Sequence, residues 1–366
     1  EGDYDWGEEV ITHELGHQLS ASHTWTGTGN SCTASQFTAT SAFEPGSGST
    51  IMGYAGICAG DNLQPNSDAY FHTISFDEIV TYTNSGLGNG CAAQTGTGNT
   101  PPVPTVPAGG FTIPANTPFE LTGSATDANG DALTYNWEEF DLGAAGPPGV
   151  ATAVPFFRSW NATTSPTRTF PRLSNLLAGT LATGEVLPNA TRALNFRMTV
   201  RDNRAGGGGV DYKSIAFNVT TAAGPFQVTA PNTNVTWGGG STQTVTWNVA
   251  GTNAGAVNCA NVDIRLSTDG GNTFPTALAT ATPNDGSQSV TLPNVTTSTA
   301  RIKVACSTSI FFDISNVNFA IGSVPGPTVA TGAASAIGQT GATLNGTVSS
   351  NGNATTVTFQ YGLTTS

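Results

Sequence analysis

The sequence predicts a multidomain protein, with a small α+β unit at the N-terminus followed by all-β sandwiches. Three observations predict this division. The chain has 366 residues, which is too long for one ordinary domain. All four histidines and both clear helical patterns fall within residues 1–92. Beyond that segment, short stretches of alternating apolar and polar residues are separated by turn residues, a pattern typical of sandwiches.

Two helices are predicted in residues 1–92. Over residues 8–19, apolar side chains follow the helical period, and two acidic residues in the first turn suit the positive end of the helix dipole. Ser75 and Glu78 form a capping-box pattern, which predicts the start of a second helix that continues through Tyr82.

The rest of the chain is divided by two linkers into three predicted β units. Gly, Thr and Pro fill the linkers, at residues 93–107 and 323–330. We predict sandwiches over residues 108–222 and 223–322, and the truncated start of a third β unit over 331–366. The clearest alternating strands lie at 119–121, 133–137, 194–200, 215–219, 245–247, 262–266, 302–304 and 317–321.

Composition excludes several classes of protein. Only 10% of the residues are charged, against roughly 25% in a typical soluble domain, while 45 Gly and 21 Pro favour short strands joined by turns. The net charge is −13 and the 11 Lys and Arg form no basic cluster, which argues against nucleic-acid binding. The acidic balance argues against docking on anionic lipid, and the sequence has no apolar run long enough to span a membrane.

The five cysteines favour an oxidising, extracellular setting. Cys259 and Cys306 fall in one predicted sandwich, where they could bridge two strands. Cys32, Cys58 and Cys91 fall in the N-terminal unit, where an odd count leaves one cysteine over and the pairing stays open. We therefore expect a secreted or extracellular protein with disulfides, attachment to a cell surface being an alternative.

Three histidines and a glutamate in the N-terminal unit have the spacing of a zinc site. His13 and His17 are four residues apart in the predicted helix, so both face the same side. Glu14 is rotated by about 100° from His13, which suits a base that acts on water beside the metal. His23 can join them only if the chain turns soon after the helix. Three neutral imidazoles leave one position of a tetrahedral zinc open, as in catalytic sites. His72 has no ligand-spaced partner, and we expect it to be packed or hydrogen-bonded.

The motif HELGHQLSASH at residues 13–23 resembles the zinc signature of the metzincin metallopeptidases. Downstream, STIMGY at residues 49–54 resembles the Met-turn of that family. The surrounding stretch is similar to secreted bacterial members of the reprolysin-like branch. The resemblance implies one zinc ion held by the three histidines, general acid and base catalysis by Glu14, and a structural Met52 beneath the ligands. It also implies Tyr54 as a candidate for contacting the metal or a developing oxyanion.

Three features depart from the family pattern. Ser20 stands where the family usually has Gly, which permits a sharp exit from the helix. Thr24 follows the third histidine, where reprolysin-like enzymes usually have Asp and pappalysin-like enzymes have Thr, so the branch stays open. Metzincins carry a large subdomain before the zinc helix, but only twelve residues precede His13, and the chain also stops within a predicted strand. We therefore expect a fragment of a longer protein that binds zinc but is poorly active or inactive by itself.

The first predicted sandwich contains a second candidate metal site in the sequence DANGD. Oxygens of Asp127, Asn129 and Asp131 alternate there, which resembles the calcium loops of cadherin-like or polycystic-kidney-disease-like repeats. Asn129 and Gly130 are also a strong hairpin-turn signal, so a plain turn is the alternative. The unit over residues 331–366 resembles the start of a fibronectin type III domain.

Together, these features predict the C-terminal part of a metzincin catalytic domain followed by immunoglobulin-like sandwiches. The leading function is a secreted zinc metalloendopeptidase that hydrolyses protein or peptide substrates. The sandwiches would then be spacers, or modules that bind a cell surface or carbohydrate. The alternative is a non-enzymatic adhesive or scaffold array with a vestigial zinc site.

Overall fold

The fold was analysed on a computed structural model, which describes residues 6–90, 93, 95–322, 326–350 and 355–362. Within these residues, helices lie mainly at the N-terminal end and strands dominate the rest. This arrangement confirms the predicted fold class of an α+β segment followed by β-sandwiches. None of the described helices combines the length and the apolar character that crossing a bilayer requires.

The N-terminal segment, described over residues 6–90, contains two helices joined by loops. Helix α1 spans Trp6–Gln18 and helix α2 spans Thr73–Asn84. Short 3-10 turns lie at Ala59–Asp61 and Leu87–Gly90. Both helices lie where the sequence pattern indicated them.

The start of α2 differs from the capping-box prediction. His72 is the N-cap, and its Nδ1 accepts a hydrogen bond from the backbone N–H of Ile74 at 3.3 Å. Ser75 was expected to cap the helix, but it is buried within the first turn. The backbone is already helical at Thr73, so the Ser75 hydroxyl lies too far along the helix to serve its orphan N–H groups.

The first sandwich is built from eight strands and one short helix. They are β1 (Val103–Thr105), β2 (Thr112–Pro114), β3 (Phe119–Thr122), β4 (Ser124–Thr126), β5 (Thr134–Glu139), β6 (Thr167–Phe170), α3 (Leu173–Ala178), β7 (Arg192–Arg201) and β8 (Val210–Thr220). The strands pair in the orders β2-β8-β7-β5, β3-β6 and β1-β4. Strand β1 lies inside the stretch predicted to be a linker, where Val103 pairs with Thr126.

The second sandwich contains nine strands, and a separate hairpin follows it. The strands of the sandwich are β9 (Gln227–Ala230), β10 (Thr236–Gly238), β11 (Thr242–Asn248), β12 (Asn261–Ser267), β13 (Thr276–Pro283), β14 (Ser287–Thr291), β15 (Thr297–Cys306), β16 (Phe312–Ile314) and β17 (Phe319–Gly322). The hairpin consists of β18 (Thr328–Ser335) and β19 (Thr343–Ser349). The sheets have the orders β10-β17-β15-β12-β13 and β14-β11-β9, with β16 paired to β15. Alternating side chains of β12 and β15 face the core, as the period of two predicted.

Buried apolar residues of both sandwiches form one continuous cluster. Phe119 on β3 packs edge-to-face against Phe196 on β7, with ring centroids 5.8 Å apart, so the two sheets of the first sandwich face each other. Phe119 also forms an isolated bridge with Phe311 of the second sandwich. The predicted Cys259–Cys306 disulfide is confirmed, and Cys32 is joined to Cys58. Cys91 lies outside the described residues.

Three arginines of the first sandwich form hydrogen bonds with the N-terminal segment. Residues 1–157 contain no Lys or Arg at all. Arg197 pairs with Asp77 at 2.5 Å, Arg201 Nη2 donates to the carbonyl of Phe71 at 3.1 Å, and Arg158 Nη1 donates to the carbonyl of Leu63 at 3.3 Å. The acidic segment is therefore held by charge-assisted hydrogen bonds from a neighbour that supplies the cations it lacks.

His72 lies in the same contact between the segment and the sandwich. It is 1% exposed, its ring stacks on Phe43, and its Nε2 lies 3.7 Å from Glu138 Oε1 on β5. Phe43 in turn stacks on Phe140, with ring centroids 4.1 Å apart. His72 thus has a packing and hydrogen-bonding role, as expected for a histidine without ligand-spaced partners.

Candidate metal centre

Three histidines are brought together by α1 and the turn that follows it. His13 and His17 lie one helical turn apart on α1. After the helix, Ala21 N–H donates to the carbonyl of Gly16 at 2.9 Å, and Ser20 adopts a positive φ of 76°. This left-handed residue reverses the chain, so that His23 returns toward the two helical histidines.

Replacing Ser20 with Gly is expected to stabilise the protein by about 1 kcal/mol, because Gly adopts a positive φ without the steric cost that Ser has. Chemical denaturation of Ser20→Gly and wild type measures this difference. Ser20→Ala is the matched control, since it keeps the Cβ and should not gain stability. Equal unfolding free energies for Ser20→Gly and wild type would show that this turn stores no strain.

Each of the three imidazoles donates its Nδ1–H to a backbone carbonyl. His13 donates to Ile51 at 2.7 Å, His17 to Ala21 at 2.8 Å, and His23 to Gln36 at 2.7 Å. These bonds fix the tautomer, so every Nε2 keeps its lone pair. The Nε2 atoms of His17 and His23 lie 3.1 Å apart, and the three histidines offer ring nitrogens within 4.8 Å of one another.

The donor set fits zinc. Two nitrogens bound at ~2.0–2.1 Å with tetrahedral angles lie about 3.3 Å apart, close to the spacing of the His17 and His23 nitrogens. Burial lowers the pKa of His13, and burial lowers the pKa of His23 to about 4. Both rings are therefore neutral at neutral pH and ready to bind a cation without first releasing a proton.

Glu14 stands beside the histidines and faces an open cavity. It is exposed on α1, and its charge acts on the pKa of both His13 and His23. The cavity has a volume of about 360 Å³. We name it the ligand-side cavity. The residues that line it include Glu9, Val10, His13, Glu14, Tyr54, Ile57 and Pro65. The Glu14 carboxylate, the His13 imidazole and an open cavity thus lie next to one another.

Comparison with protein families identifies the segment that carries this constellation. Residues 1–82 match the model of metallo-peptidase family M12B, reprolysin-like. The match includes all three histidines, Glu14 and Met52, and leaves out both sandwiches. No curated protein matches the chain.

Solved structures resemble the chain at low similarity. The fibronectin(III)-like modules of Clostridium thermocellum CbhA share 12% identity, cover 60% of this chain and 94% of theirs, and give a TM-score of 0.21. The N-terminal Ig1-2 module of the Drosophila receptor protein tyrosine phosphatase DLAR shares 10% identity, covers 61% of this chain and 100% of its own, and gives a TM-score of 0.30. The sandwich architecture is shown by the strand pairing within this chain.

Met52 lies beside helix α1 of the N-terminal segment. It is fully buried and packs with Ala21, Ile51 and Phe71. Its carbonyl accepts a hydrogen bond from Thr24 N–H at 3.3 Å. A Cβ at position 16 would lie 2.5 Å from the Met52 sulfur, so Gly16 is what allows the two segments to approach so closely.

Tyr54 packs against two of the three histidines. Its ring centroid lies 4.6 Å from that of His23 and 5.6 Å from that of His13. Burial, and then the charge of Glu14, raise the pKa of Tyr54, so the phenol carries its proton at neutral pH. A neutral phenol on the wall of the ligand-side cavity is able to donate a hydrogen bond to an oxyanion, and this role for Tyr54 stays a prediction.

Glu44, in the N-terminal segment, is a buried acidic residue that the sequence motifs did not indicate. It is fully buried, and its Oε2 accepts hydrogen bonds from the hydroxyls of Thr24 and Thr50, both at 2.6 Å. Its Oε1 accepts from the N–H groups of Ser49 at 2.9 Å and Thr50 at 3.3 Å. One carboxylate thus joins the residue that follows His23 to the start of the Met-turn. One feature of the sequence could have indicated this residue: Glu44 is the only Asp, Glu, Lys or Arg between positions 15 and 60.

The second candidate metal site is arranged differently from the prediction. Asp127 and Asp131 offer carboxylate oxygens within 4.8 Å of each other and of Asp202, which the sequence reading did not include. The side-chain oxygen of Asn129 instead accepts from Thr100 N–H at 2.9 Å. Asp127 Oδ1 accepts from the N–H groups of Asn129 and Asp131, both at 2.9 Å, which is the bonding of a turn. Calcium binding stays a prediction.

Proposed function

We propose that this chain is a zinc-dependent metalloendopeptidase that hydrolyses peptide bonds of proteins. The observation that carries the proposal is the convergence of three Nε2 atoms beside an unligated carboxylate, with each Nδ1 tied to a backbone carbonyl. The family match over residues 1–82 supports the same activity. Two disulfides support an extracellular location, and we include it in the proposal.

Zinc in such a site acts as a Lewis acid and brings the ionisation of water close to neutral pH. The residues of the chain supply the remaining functions. His13, His17 and His23 would hold the ion through their Nε2 atoms. Glu14 would take a proton from the attacking water and return it to the leaving amine. Tyr54 would donate a hydrogen bond to the oxygen of the scissile carbonyl as charge develops there.

Metal removal tests the proposed function. The purified chain is treated with a chelator, dialysed and supplemented with zinc, and hydrolysis of fluorescently labelled casein is followed throughout. We expect zinc to bind in a ratio of one per chain and to restore a low rate of hydrolysis that the chelator has removed, in keeping with the poor activity that the sequence predicts. A non-enzymatic scaffold array would show no zinc-dependent hydrolysis, and that result would favour the alternative function.

The ligand-side cavity is expected to favour Lys or Arg next to the cleaved bond. Val10, Ile57 and Pro65 provide apolar surface for a long aliphatic stem, and Glu9 adds a carboxylate held by Ser67 N–H at 2.8 Å. A partly exposed ion pair of this kind is worth up to ~1 kcal/mol, so kcat/KM should favour Lys over Leu by about three- to fivefold.

Paired peptides and a matched variant check this preference. Peptides that differ only in Lys, Leu or Glu after the scissile bond are compared on wild type, Glu9→Gln and Glu8→Gln. Glu9→Gln should lose the preference for Lys. Glu8→Gln removes a neighbouring exposed charge that does not line the cavity, so it should keep the preference. Equal kcat/KM values for Lys and Leu in wild type would contradict the assignment of Glu9.

A further inference from the structure

Ser159 of the first sandwich lies behind the metal site. It is 2% exposed and stands in the loop between β5 and β6. Its carbonyl accepts a hydrogen bond from Ser49 Oγ at 3.1 Å, and its hydroxyl accepts one from the Tyr70 hydroxyl at 2.7 Å. Ser49 and Tyr70 belong to the N-terminal segment, so Ser159 connects the sandwich with that segment at two points.

Both contacts of Ser159 connect to the backbone that holds His13. The carbonyl of Tyr70 accepts a hydrogen bond from Ile51 N–H at 3.1 Å. The carbonyl of Ile51 is the acceptor for His13 Nδ1–H at 2.7 Å. Ser49 begins the Met-turn stretch that contains Ile51. Two routes therefore run from Ser159 to the backbone that orients the first histidine ligand.

The other side of Ser159 is fixed by the sandwich itself. Its hydroxyl donates to Glu138 Oε1 on β5 at 2.9 Å, and the second oxygen of Glu138 accepts from the hydroxyl of Thr199 on β7 at 3.2 Å. Glu138 is fully buried. Because the Ser159 proton points to this carboxylate, a lone pair of its oxygen is left for Tyr70. Burial, followed by the charges of Glu138 and Glu44, raises the pKa of Tyr70 well above its ordinary value, so the phenol keeps the proton that it donates.

We propose that Ser159 is a positioning residue of the metal site and that the first sandwich is an integral part of the metallopeptidase, not a spacer. Groups that hold a histidine ligand in place affect metal affinity because they fix the direction of its lone pair. Ser159 acts on His13 through Tyr70 and Ile51. The inference rests on the proposed function for its effect on catalysis, whereas its effect on metal affinity is measured separately.

The test uses Tyr70→Phe and Ser159→Ala in the full chain. Each variant is expected to weaken zinc binding by about tenfold, measured by competition with a chromogenic chelator. The visible absorption of the cobalt-substituted protein should shift in both. The double variant should be no weaker than the single variants, because both remove one shared hydrogen bond. Ser159→Thr keeps the hydroxyl and should restore affinity to within about threefold of wild type. Ser165→Ala removes an exposed hydroxyl of the same loop and should leave both readouts unchanged.

A lower unfolding free energy with unchanged zinc affinity and an unchanged cobalt spectrum would overturn the proposal, since Ser159 would then be only structural. Should Ser159→Ala fail to fold, Tyr70→Phe carries the same test, because it removes only the phenolic hydroxyl. Weaker zinc binding in the variants of a chain that does not hydrolyse casein would support the positioning role and refute the proposed function. Absence of zinc binding in wild type would refute both.

Discussion

Replacing Glu14 with Ala is expected to lower kcat for peptide hydrolysis by about 10²–10⁴-fold, the usual contribution of a positioned general acid and base. Zinc affinity should stay within about threefold of wild type, because the three Nε2 donors and their carbonyl partners do not involve Glu14. KM should change little, since the carboxylate acts on water and on the leaving amine.

Steady-state kinetics and zinc competition titrations on the same preparations separate these effects. Glu8→Ala is the matched control: it removes an exposed carboxylate from the same helix and should leave kcat unchanged. If Glu14→Ala kept wild-type turnover, another base would have to act on the water. If it lost zinc, the loss of activity would have a trivial cause and Glu14 would need a different role.

The N-terminal site could be predicted from the sequence because its geometry is local. His13 and His17 face one side of α1 by helical periodicity, and a turn near Ser20 was required for His23 to reach them. The structure places a left-handed residue at Ser20 and brings the three rings together. Alternation of apolar and polar residues likewise located the long strands β7, β12 and β15, whose buried side chains recur with a period of two.

The supports of the site could not be predicted, because they depend on contacts between distant parts of the chain. Ser49 donates a hydrogen bond to the carbonyl of Ser159, which is 110 residues away in the sequence. Asp202 comes close to Asp127 because β5 and β7 pair in the folded chain. Periodicity does not report such pairings. The start of α2 was misplaced for a related reason: Ser75 is buried by tertiary packing, which outweighs its local preference for the cap.

Replacing Glu44 with Gln is expected to weaken zinc binding by about 10- to 100-fold, the usual effect of losing a group that orients ligands. The carboxylate accepts hydrogen bonds on both oxygens, and a Gln amide can accept on only one of them. Its NH₂ group would face the hydroxyls or the N–H groups that now donate to Glu44. Either orientation loosens the connection between Thr24, beside His23, and the Met-turn that begins at Ser49.

Stability and metal affinity should respond together in the Glu44 variants. Glu44→Ala leaves several buried donors without an acceptor, at about 1–3 kcal/mol for each, so we expect it to unfold at markedly lower urea concentration than wild type. Glu44→Gln should lose less stability but still bind zinc more weakly. Glu8→Gln removes a charge from the surface and should change neither quantity.

The comparison of Glu44→Gln with Glu8→Gln distinguishes a bonding role from a charge effect. A loss of negative charge anywhere near the metal would weaken binding of a cation modestly, and salt would screen that loss at an exposed site. Because Glu44 is buried, the loss of its charge would also respond little to salt, whereas a loss of oriented acceptors would in addition change the geometry of the ligands, which the visible absorption of the cobalt-substituted protein reports. Reduced zinc affinity together with a shifted cobalt spectrum in Glu44→Gln, with both readouts normal in Glu8→Gln, would support the conclusion that this buried carboxylate holds the third histidine in place. Wild-type zinc affinity in folded Glu44→Gln would show that the Met-turn and the His23 loop keep their relative positions without it.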